Sequence, residues 1–339
     1  MIGAGRLATL VLLSLAMMAS AQALTVAATG DVMLGTDYPE NTLDDDDAAG
    51  YLAGVTPRLR AADVAFGNYE GALLDGGEPE KICTGRCYFF RSPTRYAQLL
   101  ADAGYDLISL ANNHARDFGD DGLASSQASL DALAIGHSGP LDSFAIIERA
   151  QQRIGMIAYA PNHDLNPILD IDLAREQVGA LASEVDILIV SFHGGGEGLD
   201  ALHVAQGMEE YLGEERGDLR AFSRAVIDAG ADLVLGHGPH VPRGLELYRD
   251  RLIAYSLGNF ATYYGISVNG LKGVAPLLWV ELDDEGRFVG GQIHSYRQTR
   301  PIGPQPDPSQ TAATLMRRLT REDFPQSPLR WLTDGQIAP

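Results

Sequence analysis

Side chains that could bind a metal ion or move a proton follow five short apolar runs of this sequence, each at the end of its run. They are Asp31 after residues 24–29, Glu70 after 64–66, Asn112, Asn113 and His114 after 107–110, His193 after 187–190, and His237 and His240 after 233–235. In α/β proteins, ligands bind at the carboxyl ends of the strands. If the five runs are strands of one sheet, their ends bring these side chains together at one edge.

The chemistry of this set is that of a metal site of intermediate hardness. Carboxylate, amide and imidazole groups without a thiolate suit Mn, Fe or Zn. Each residue alone also has an ordinary explanation: Asp31 could cap a turn, and a single histidine such as His193 is more often part of a core. Five coincidences at five run ends favour a metal centre. The sequence holds neither the G-x-S-x-G motif of serine hydrolases nor a phosphate-binding P-loop.

The elements that must position these groups follow from the hydrophobic pattern. Short apolar runs alternate with longer amphipathic ones, which is typical of an α/β fold. The predicted strands cover residues 24–29, 64–67, 107–111, 153–160, 187–192, 233–236, 244–248 and 251–256, with a hairpin at 277–282 and 287–296. The predicted helices cover 94–103, 121–133, 172–182 and 218–229. After Arg300, residues 301–339 predict a linker rich in proline and glutamine that leads to a last helix at 311–319.

The first residues predict export. Arg6 precedes an apolar run over residues 7–19, and Ala21-Gln22-Ala23 follows, which is the order of a secretory signal peptide. The run is shorter than the roughly 20 residues that a membrane-spanning helix needs. We therefore expect a signal peptide over residues 1–23 and a mature protein in the periplasm or outside the cell. An uncleaved N-terminal anchor is the alternative.

The net charge and the cysteines limit the partners and the chemistry. A formal net charge of −20 argues against nucleic acid and against an anionic membrane as a partner. The chain has two cysteines, Cys83 and Cys87, and an even number in an exported chain favours a disulfide between them. A zinc site is the rival interpretation, but no second pair of ligands with suitable spacing lies nearby.

Several longer motifs resemble those of the CapA, or poly-γ-glutamate capsule-synthesis, family. They are GDVMLG from Gly30, GNYEGAL from Gly67, LANNHARDFGDDGL from Leu110, SFHGG from Ser191, AGADLVLGHGPHVPRGLELY from Ala229 and RLIAYSLGNF from Arg251. That family is similar to the calcineurin-like metallophosphoesterases. The resemblance therefore implies a four-layered α-β-β-α sandwich over residues 24–300, built around one or two divalent ions.

The resemblance also implies roles for single residues. Asp31, Glu70, Asn113, His193, His237 and His240 would bind metal, and His114 would be the catalytic histidine. Three positions depart from the phosphoesterase pattern: Met33 stands where a histidine is expected, Glu70 replaces a shorter bridging aspartate, and the closing histidines are spaced H-x-x-H. Where CapA relatives often have His-Trp-Gly, this chain has His193-Gly194-Gly195, which predicts a more open rim.

Two functions of different class are consistent with this site. One is a metal-dependent hydrolase of the phosphoesterase type, linked to capsule or poly-γ-glutamate synthesis, in which His114 acts on the leaving group. The other is a non-catalytic component that binds an anionic polymer through the same cleft, alongside membrane proteins of capsule synthesis. Met33 favours binding, whereas the Asn113-His114 pair favours hydrolysis. A metal-stabilised exported scaffold is a third, simpler interpretation.

Overall fold

The computed structural model describes residues 23–81 and 87–339. The predicted signal peptide lies outside the described residues except for Ala23, and so does Cys83. Cys87 is disulfide-bonded, and its pairing with Cys83 stays a prediction. Within the described part of the chain, no helix combines the length and the apolar composition that crossing a bilayer requires.

The described residues form strands and helices in an alternating order. The strands are β1 (Leu24–Met33), β2 (Val64–Tyr69), β3 (Ala72–Leu73), β4 (Arg91–Ser92), β5 (Leu107–Ser109), β6 (Gly136–Ser138), β7 (Ala145–Arg149), β8 (Gln152–Tyr159), β9 (Ile187–His193), β10 (Glu209–Tyr211), β11 (Glu214–Gly217), β12 (Leu233–His237), β13 (Leu245–Tyr248), β14 (Arg251–Ala254), β15 (Asn259–Thr262), β16 (Val274–Leu282), β17 (Phe288–Thr299), β18 (Gly303–Pro306), β19 (Arg330–Trp331) and β20 (Gln336–Ala338). The α-helices are α1 (Thr56–Leu59), α2 (Ala97–Ala103), α3 (Gly119–Asp131), α4 (Ile171–Ala182), α5 (Leu219–Asp228) and α6 (Thr311–Asp323).

Two sheets form the framework. The larger sheet has the strand order β19-β20-β17-β16-β1-β2-β5-β6, with β15 beside the end of β1 and β18 beside β17. The smaller sheet has the order β13-β14-β12-β9-β8-β7. In the larger sheet β1, β2 and β5 run parallel, and in the smaller sheet β8, β9, β12 and β14 do so. Within each sheet, the carboxyl ends of these central strands therefore lie at the same edge.

The side chains of β9 show how the layers arise. Successive side chains of a strand point to opposite faces of its sheet. Ile187 and Ile189 belong to the main core, which the two sheets share, whereas Leu188, Val190 and Phe192 pack with α4 and α5 in a second core. Helices α2 and α3 pack with the larger sheet. The predicted four-layered α-β-β-α sandwich is thus confirmed.

The C-terminal residues agree with the prediction only in part. Helix α6 contains the predicted segment 311–319 and extends to Asp323. The linker prediction is wrong for residues 303–306, which form β18 and pair with β17. Helix α6 buries Ala312, Met316 and Leu319 on one face and packs on β17, β16 and β13. Composition rich in proline did not reveal this, because β18 is an edge strand, where proline is tolerated.

Candidate metal centre

The carboxyl ends of the two sheets meet, and the predicted polar side chains lie there. Asp31 lies near the end of β1, Glu70 follows β2, Asn113 and His114 follow β5, His193 ends β9, and His237 and His240 lie at and after the end of β12. The strand register places Asp31 beside Asn68 and His193 beside His237. One hydrogen bond, 3.1 Å long, joins the two sheets here, between Nε2 of His237 and the backbone oxygen of Thr29.

A glycine determines the backbone path before Asp31. Strand β1 is irregular between Ala28 and Asp31, where it comes against the start of β15. The amide of Asp31 donates to the carbonyl oxygen of Gly258 at 2.8 Å. A Cβ atom on Gly30 would lie only 1.9 Å from that oxygen. Glycine at position 30 therefore permits the close approach that fixes the position of Asp31.

Asp31, Glu70 and His240 form a compact group. One ligand atom from each residue lies within 4.8 Å of the other two. Nδ1 of His240 is 3.2 Å from Oδ2 of Asp31, and its Nε2 is 3.6 Å from Oε1 of Glu70. Both carboxylates are fully buried. His240 has φ of +57°, a left-handed backbone conformation that is rare for residues other than glycine and is concentrated at functional sites.

The charges of this group are unbalanced. Burial raises the pKa of Glu70, although the neighbouring His240 opposes the effect. Burial alone would lower the pKa of His240, but the carboxylates of Glu70, Glu197 and Asp31 outweigh it and raise that pKa to about 10. Three carboxylates around one imidazole leave an excess of acceptor groups and negative charge. Such a site favours a bound cation.

The two histidines at the strand ends are neutral and have nitrogen atoms without partners. Burial lowers the pKa of His237. Its Nε2 must donate to Thr29, because a carbonyl only accepts, so Nδ1 carries the lone pair, and Nδ1 has no partner within the described chain. Burial, reinforced by the charges of Arg216 and His240, lowers the pKa of His193 well below its usual range. Both ring nitrogens of His193, whose ring centroid is 6.4 Å from that of His240, also lack a described partner.

Buried polar atoms without a hydrogen-bond partner are concentrated at this edge. Among the described residues they include Oδ2 of Asp31, Oε1 and Oε2 of Glu70, Oδ1 of Asn113, Nδ1 and Nε2 of His193, and Nδ1 of His237. An unpaired polar group in the interior costs about 1–3 kcal/mol, so a concentration of them in one place is unfavourable unless a ligand pairs with them. Each of these residues offers a lone pair to a cation. The set therefore fits a divalent ion such as Mn, Fe or Zn.

Met33 does not take part in this set. Its side chain lies in a small buried cluster with Phe90 and Ile266. Its sulfur accepts a hydrogen bond from the amide of Gly35 at 3.3 Å. The position at which the sequence resemblance implied a histidine is thus occupied by a packed thioether.

His114 is held through its Nδ1 atom by an aspartate that was not among the residues predicted from the sequence. Nδ1 of His114 donates to Oδ2 of Asp117 at 2.7 Å, and the other carboxylate oxygen of Asp117 accepts from Nζ of Lys81 at 2.9 Å. The ring of Phe90 packs on the imidazole with 4.2 Å between centroids. Burial lowers the pKa of His114 and Asp117 opposes this. Because Nδ1 is engaged, Nε2 is the nitrogen available to a substrate.

Side-chain amides connect the metal-binding group to His114. Asn68 donates to Oδ1 of Asp31 at 2.8 Å, and Asn112 donates to Oδ1 of Asn68 at 3.2 Å. Oδ1 of Asn112 accepts from the amide of His114 at 3.1 Å. Asn113, between these two residues, directs its unpaired Oδ1 into the interior. Asn68 was not predicted, although it lies near the end of β2 in the same motif as Glu70.

The sequence is similar to bacterial capsule-synthesis proteins. The family model described as bacterial capsule synthesis protein PGA_cap matches residues 25–264. The capsule biosynthesis protein CapA of Bacillus anthracis is 26% identical over 247 residues, which are 70% of this chain and 59% of that protein. The PGA biosynthesis protein CapA of Bacillus subtilis is 24% identical over 332 residues, which are 93% of this chain and 81% of that protein. The chain thus spans about three fifths of the first of these relatives.

Among solved structures, a 5′-nucleotidase precursor from Thermus thermophilus is similar to this chain. The match covers 88% of this chain and 59% of the other, with 16% sequence identity and a TM-score of 0.46.

Proposed function

We propose that this chain, which belongs to the PGA_cap family of bacterial capsule synthesis proteins, is an exported metal-dependent hydrolase that acts on a phosphoester in capsule or poly-γ-glutamate synthesis. The observation that carries the proposal is a contrast within one cleft. Five residues, Asp31, Glu70, Asn113, His193 and His237, have buried carboxylate, amide or imidazole atoms without a described partner, while the neighbouring His114 is paired with Asp117 as a proton-transfer group is.

The residues that would hold a divalent ion are Asp31, Glu70, Asn113, His193, His237 and His240. When bound, such an ion lowers the pKa of a water molecule towards about 7 and offsets the charge of a phosphoryl group. The neutral state of His193 and His237 suits this role, because an imidazole must be unprotonated to bind metal. His240, whose pKa the neighbouring carboxylates raise, would have to release its proton when the ion binds. The hydrogen bond from His237 to Thr29 fixes the ring so that Nδ1 is the ligand atom.

His114 would exchange a proton with the leaving oxygen through Nε2. Asp117 holds the Nδ1–H tautomer and stabilises the protonated imidazole, and Lys81 fixes the other oxygen of Asp117. Phe90 covers one face of the ring. General acid–base catalysis of this type contributes about 10²–10⁴ to a rate.

A second candidate function is binding of an anionic polymer without turnover. The packing of Met33 favours it, because the thioether removes one ligand from the pattern of the two-metal phosphoesterases. A polymer clamp, however, has no use for the His114–Asp117 pair. We therefore rank it below hydrolysis.

The test is turnover and metal content in the same protein. We expect the purified mature chain to contain at least one Mn, Fe or Zn ion per molecule and to hydrolyse an aryl phosphate when Mn²⁺ is added. His203→Ala, which changes an exposed histidine paired with Asp323, is the matched control and should behave as the wild type. Metal-loaded protein that binds poly-γ-glutamate but shows no turnover would establish the polymer-binding function instead.

Export and partners are also proposed. The sequence Ala21-Gln22-Ala23 predicts that the N-terminus of the secreted protein is Leu24. A secreted or periplasmic chain can meet an anionic polymer and the membrane proteins of capsule synthesis. Recovery of the exported protein with Met1 intact would contradict cleavage and indicate an anchor.

A further inference from the structure

A hairpin that the sequence analysis did not predict places an arginine beside the metal centre. Strands β10 and β11 form this hairpin, and Arg216 on β11 has only 2% of its side chain exposed. The amide of Gly195, two residues after His193, donates to the backbone oxygen of Arg216 at 2.9 Å. The side chain of Arg216 pairs with Glu197, whose other carboxylate oxygen is 3.7 Å from Nε2 of His240. Arg216 therefore lies beside the segment that carries His193 and next to a neighbour of His240, two predicted metal ligands.

A buried ion pair holds the hairpin in this place. Arg243 donates to both carboxylate oxygens of Glu209 on β10, at 2.9 and 2.8 Å, and Glu209 also accepts from the amide of Gly196 at 2.9 Å. A Cβ atom on Gly194 would lie 2.6 Å from the backbone oxygen of Arg216. The glycine run at the end of β9 thus allows the hairpin to approach the centre, and the ion pair fixes it there.

One donor atom of the Arg216 side chain has no hydrogen-bond partner in the described part of the chain. Its Nη2 donates to Oε1 of Glu197 at 3.1 Å, while its Nε has no hydrogen-bond partner among residues 23–81 and 87–339. Buried polar groups are normally paired, so this donor indicates a ligand. Oε2 of Glu197 is 3.7 Å from Nε2 of His240, and these two side chains are 13% and 12% exposed. The cleft therefore opens to solvent next to Arg216.

We propose that Arg216 binds a non-bridging oxygen of the substrate's phosphoryl group and makes the site selective for phosphate monoesters over diesters. This inference rests on the proposed phosphoesterase function. A monoester has three non-bridging oxygens, so one can accept from Arg216 while the others face the cation-binding residues. A diester has two, and carries less negative charge. The Nε–H group of Arg216, which has no partner among the described residues, suits phosphate because a charged donor makes a strong hydrogen bond to an anionic oxygen.

The first test measures binding of inorganic phosphate to the metal-loaded protein by calorimetry. Arg216→Gln should raise the dissociation constant of phosphate by about 10–100-fold, as expected for loss of charged hydrogen bonds. Arg216→Lys, which keeps the positive charge but lacks the planar guanidinium group, should give an intermediate dissociation constant. Arg95→Gln, which removes a surface arginine paired with Asp47, is the matched control. Metal content is measured in each protein, because the effect must appear with the metal retained.

A double variant separates ligand binding from a structural role. If Arg216 serves only to neutralise Glu197, removing both charges in Arg216→Gln/Glu197→Gln should restore phosphate affinity. If Arg216 contacts phosphate, the double variant should stay as weak as Arg216→Gln. Recovery of wild-type affinity in the double variant, or an affinity within about twofold of wild type in Arg216→Gln, overturns the proposal. Arg216→Lys provides the same comparison if the glutamine variants do not fold.

The second test compares hydrolysis of p-nitrophenyl phosphate and bis(p-nitrophenyl) phosphate. Arg216→Gln should lower kcat/KM for the monoester at least about tenfold more than for the diester, by loss of one charged hydrogen bond. Equal losses overturn the selectivity. If the wild type hydrolyses neither compound but phosphate binding still depends on Arg216, the anion site stands and the hydrolytic function fails. If the wild type hydrolyses both compounds and Arg216→Gln hydrolyses them with the same kcat/KM values, the hydrolytic function stands and the proposed role of Arg216 fails.

Discussion

The two halves of the cleft differ in how their polar groups are paired. The His114–Asp117 half is closed upon itself: each oxygen of Asp117 has a donor, and Nδ1 of His114 has an acceptor. In the other half, His193 and Glu70 are equally buried, yet their ligand atoms have no hydrogen-bond partner in the described residues. The hydrogen bonds of the first half hold the His114 ring in a fixed orientation for proton transfer. The polar atoms of the second half obtain partners only when a cation binds. Similar side chains in similar burial thus serve different chemistry, because their partners differ.

The largest loss of activity should follow from substituting a predicted metal ligand in the half whose polar atoms are unpaired. His193→Ala removes a ligand, so it should lose both metal and turnover, the latter to background. In the wild type, chelation of the metal should lower Tm by several degrees, because a ligand present at about 100 times its Kd stabilises the fold by roughly 2.7 kcal/mol. Metal analysis, turnover and a thermal melt check these results. A His193→Ala protein with full metal content would show that His193 is not a ligand.

Breaking the paired half should have a different signature. His114→Ala should keep its metal and lose about 10²–10⁴ in kcat, because it removes the proton-transfer group and not a ligand. Asp117→Asn should fall between the wild type and His114→Ala, since it weakens the orientation of the ring but leaves the ring in place. The measurement is kcat at equal metal content. Loss of metal in His114→Ala would remove the distinction between the halves.

Substitution of Met33 tests the difference between the two halves further. Met33 packs against the same Phe90 that covers His114. Met33→His should raise metal occupancy, because imidazole suits these metals better than a thioether does. It should also destabilise the fold by about 1–3 kcal/mol, since a polar ring enters an apolar cluster. Met33→Leu, of similar volume, should change neither metal content nor activity and should cost less than about 1.5 kcal/mol. Equal metal content in all three proteins would contradict the prediction.

The smallest effect concerns His294, a histidine on β17 outside both halves. Burial and the charge of Arg58, whose Nη1 is 3.2 Å from its Nε2, lower the pKa of His294 to about 4. The unfolded chain binds a proton at this residue near pH 6.5 and the folded chain does not. Stability should therefore decrease as the pH falls from about 6.5 to about 4. Thermal melts over this range should show a smaller decrease in His294→Gln; equal decreases would show that His294 does not contribute.

Much of the fold and of the site could be predicted from the sequence, because the signals are local. The alternation of apolar runs with amphipathic ones predicts the α/β class, and a polar residue at the end of a run marks the edge where ligands bind. Asp31, Glu70, His193 and His237 were selected in this way. They lie on two sheets and not on one, and the structure brings them together where the carboxyl ends of the two sheets meet. His240 follows Gly238-Pro239 after the end of β12, and its ring lies against Asp31 while its backbone is left-handed.

Only the tertiary structure decided which of these groups are paired. Asp117 closes the His114 half because Lys81, 36 residues away, reaches its second oxygen. Arg216 reaches the metal centre because an ion pair between residues 34 positions apart, Arg243 and Glu209, anchors its hairpin. Hydrogen-bond partners of this kind depend on which segments fold next to one another, and no local pattern records that. The sequence determined which residues can act at the cleft, and packing over long separations determined which of them have a partner within the chain and which require a ligand.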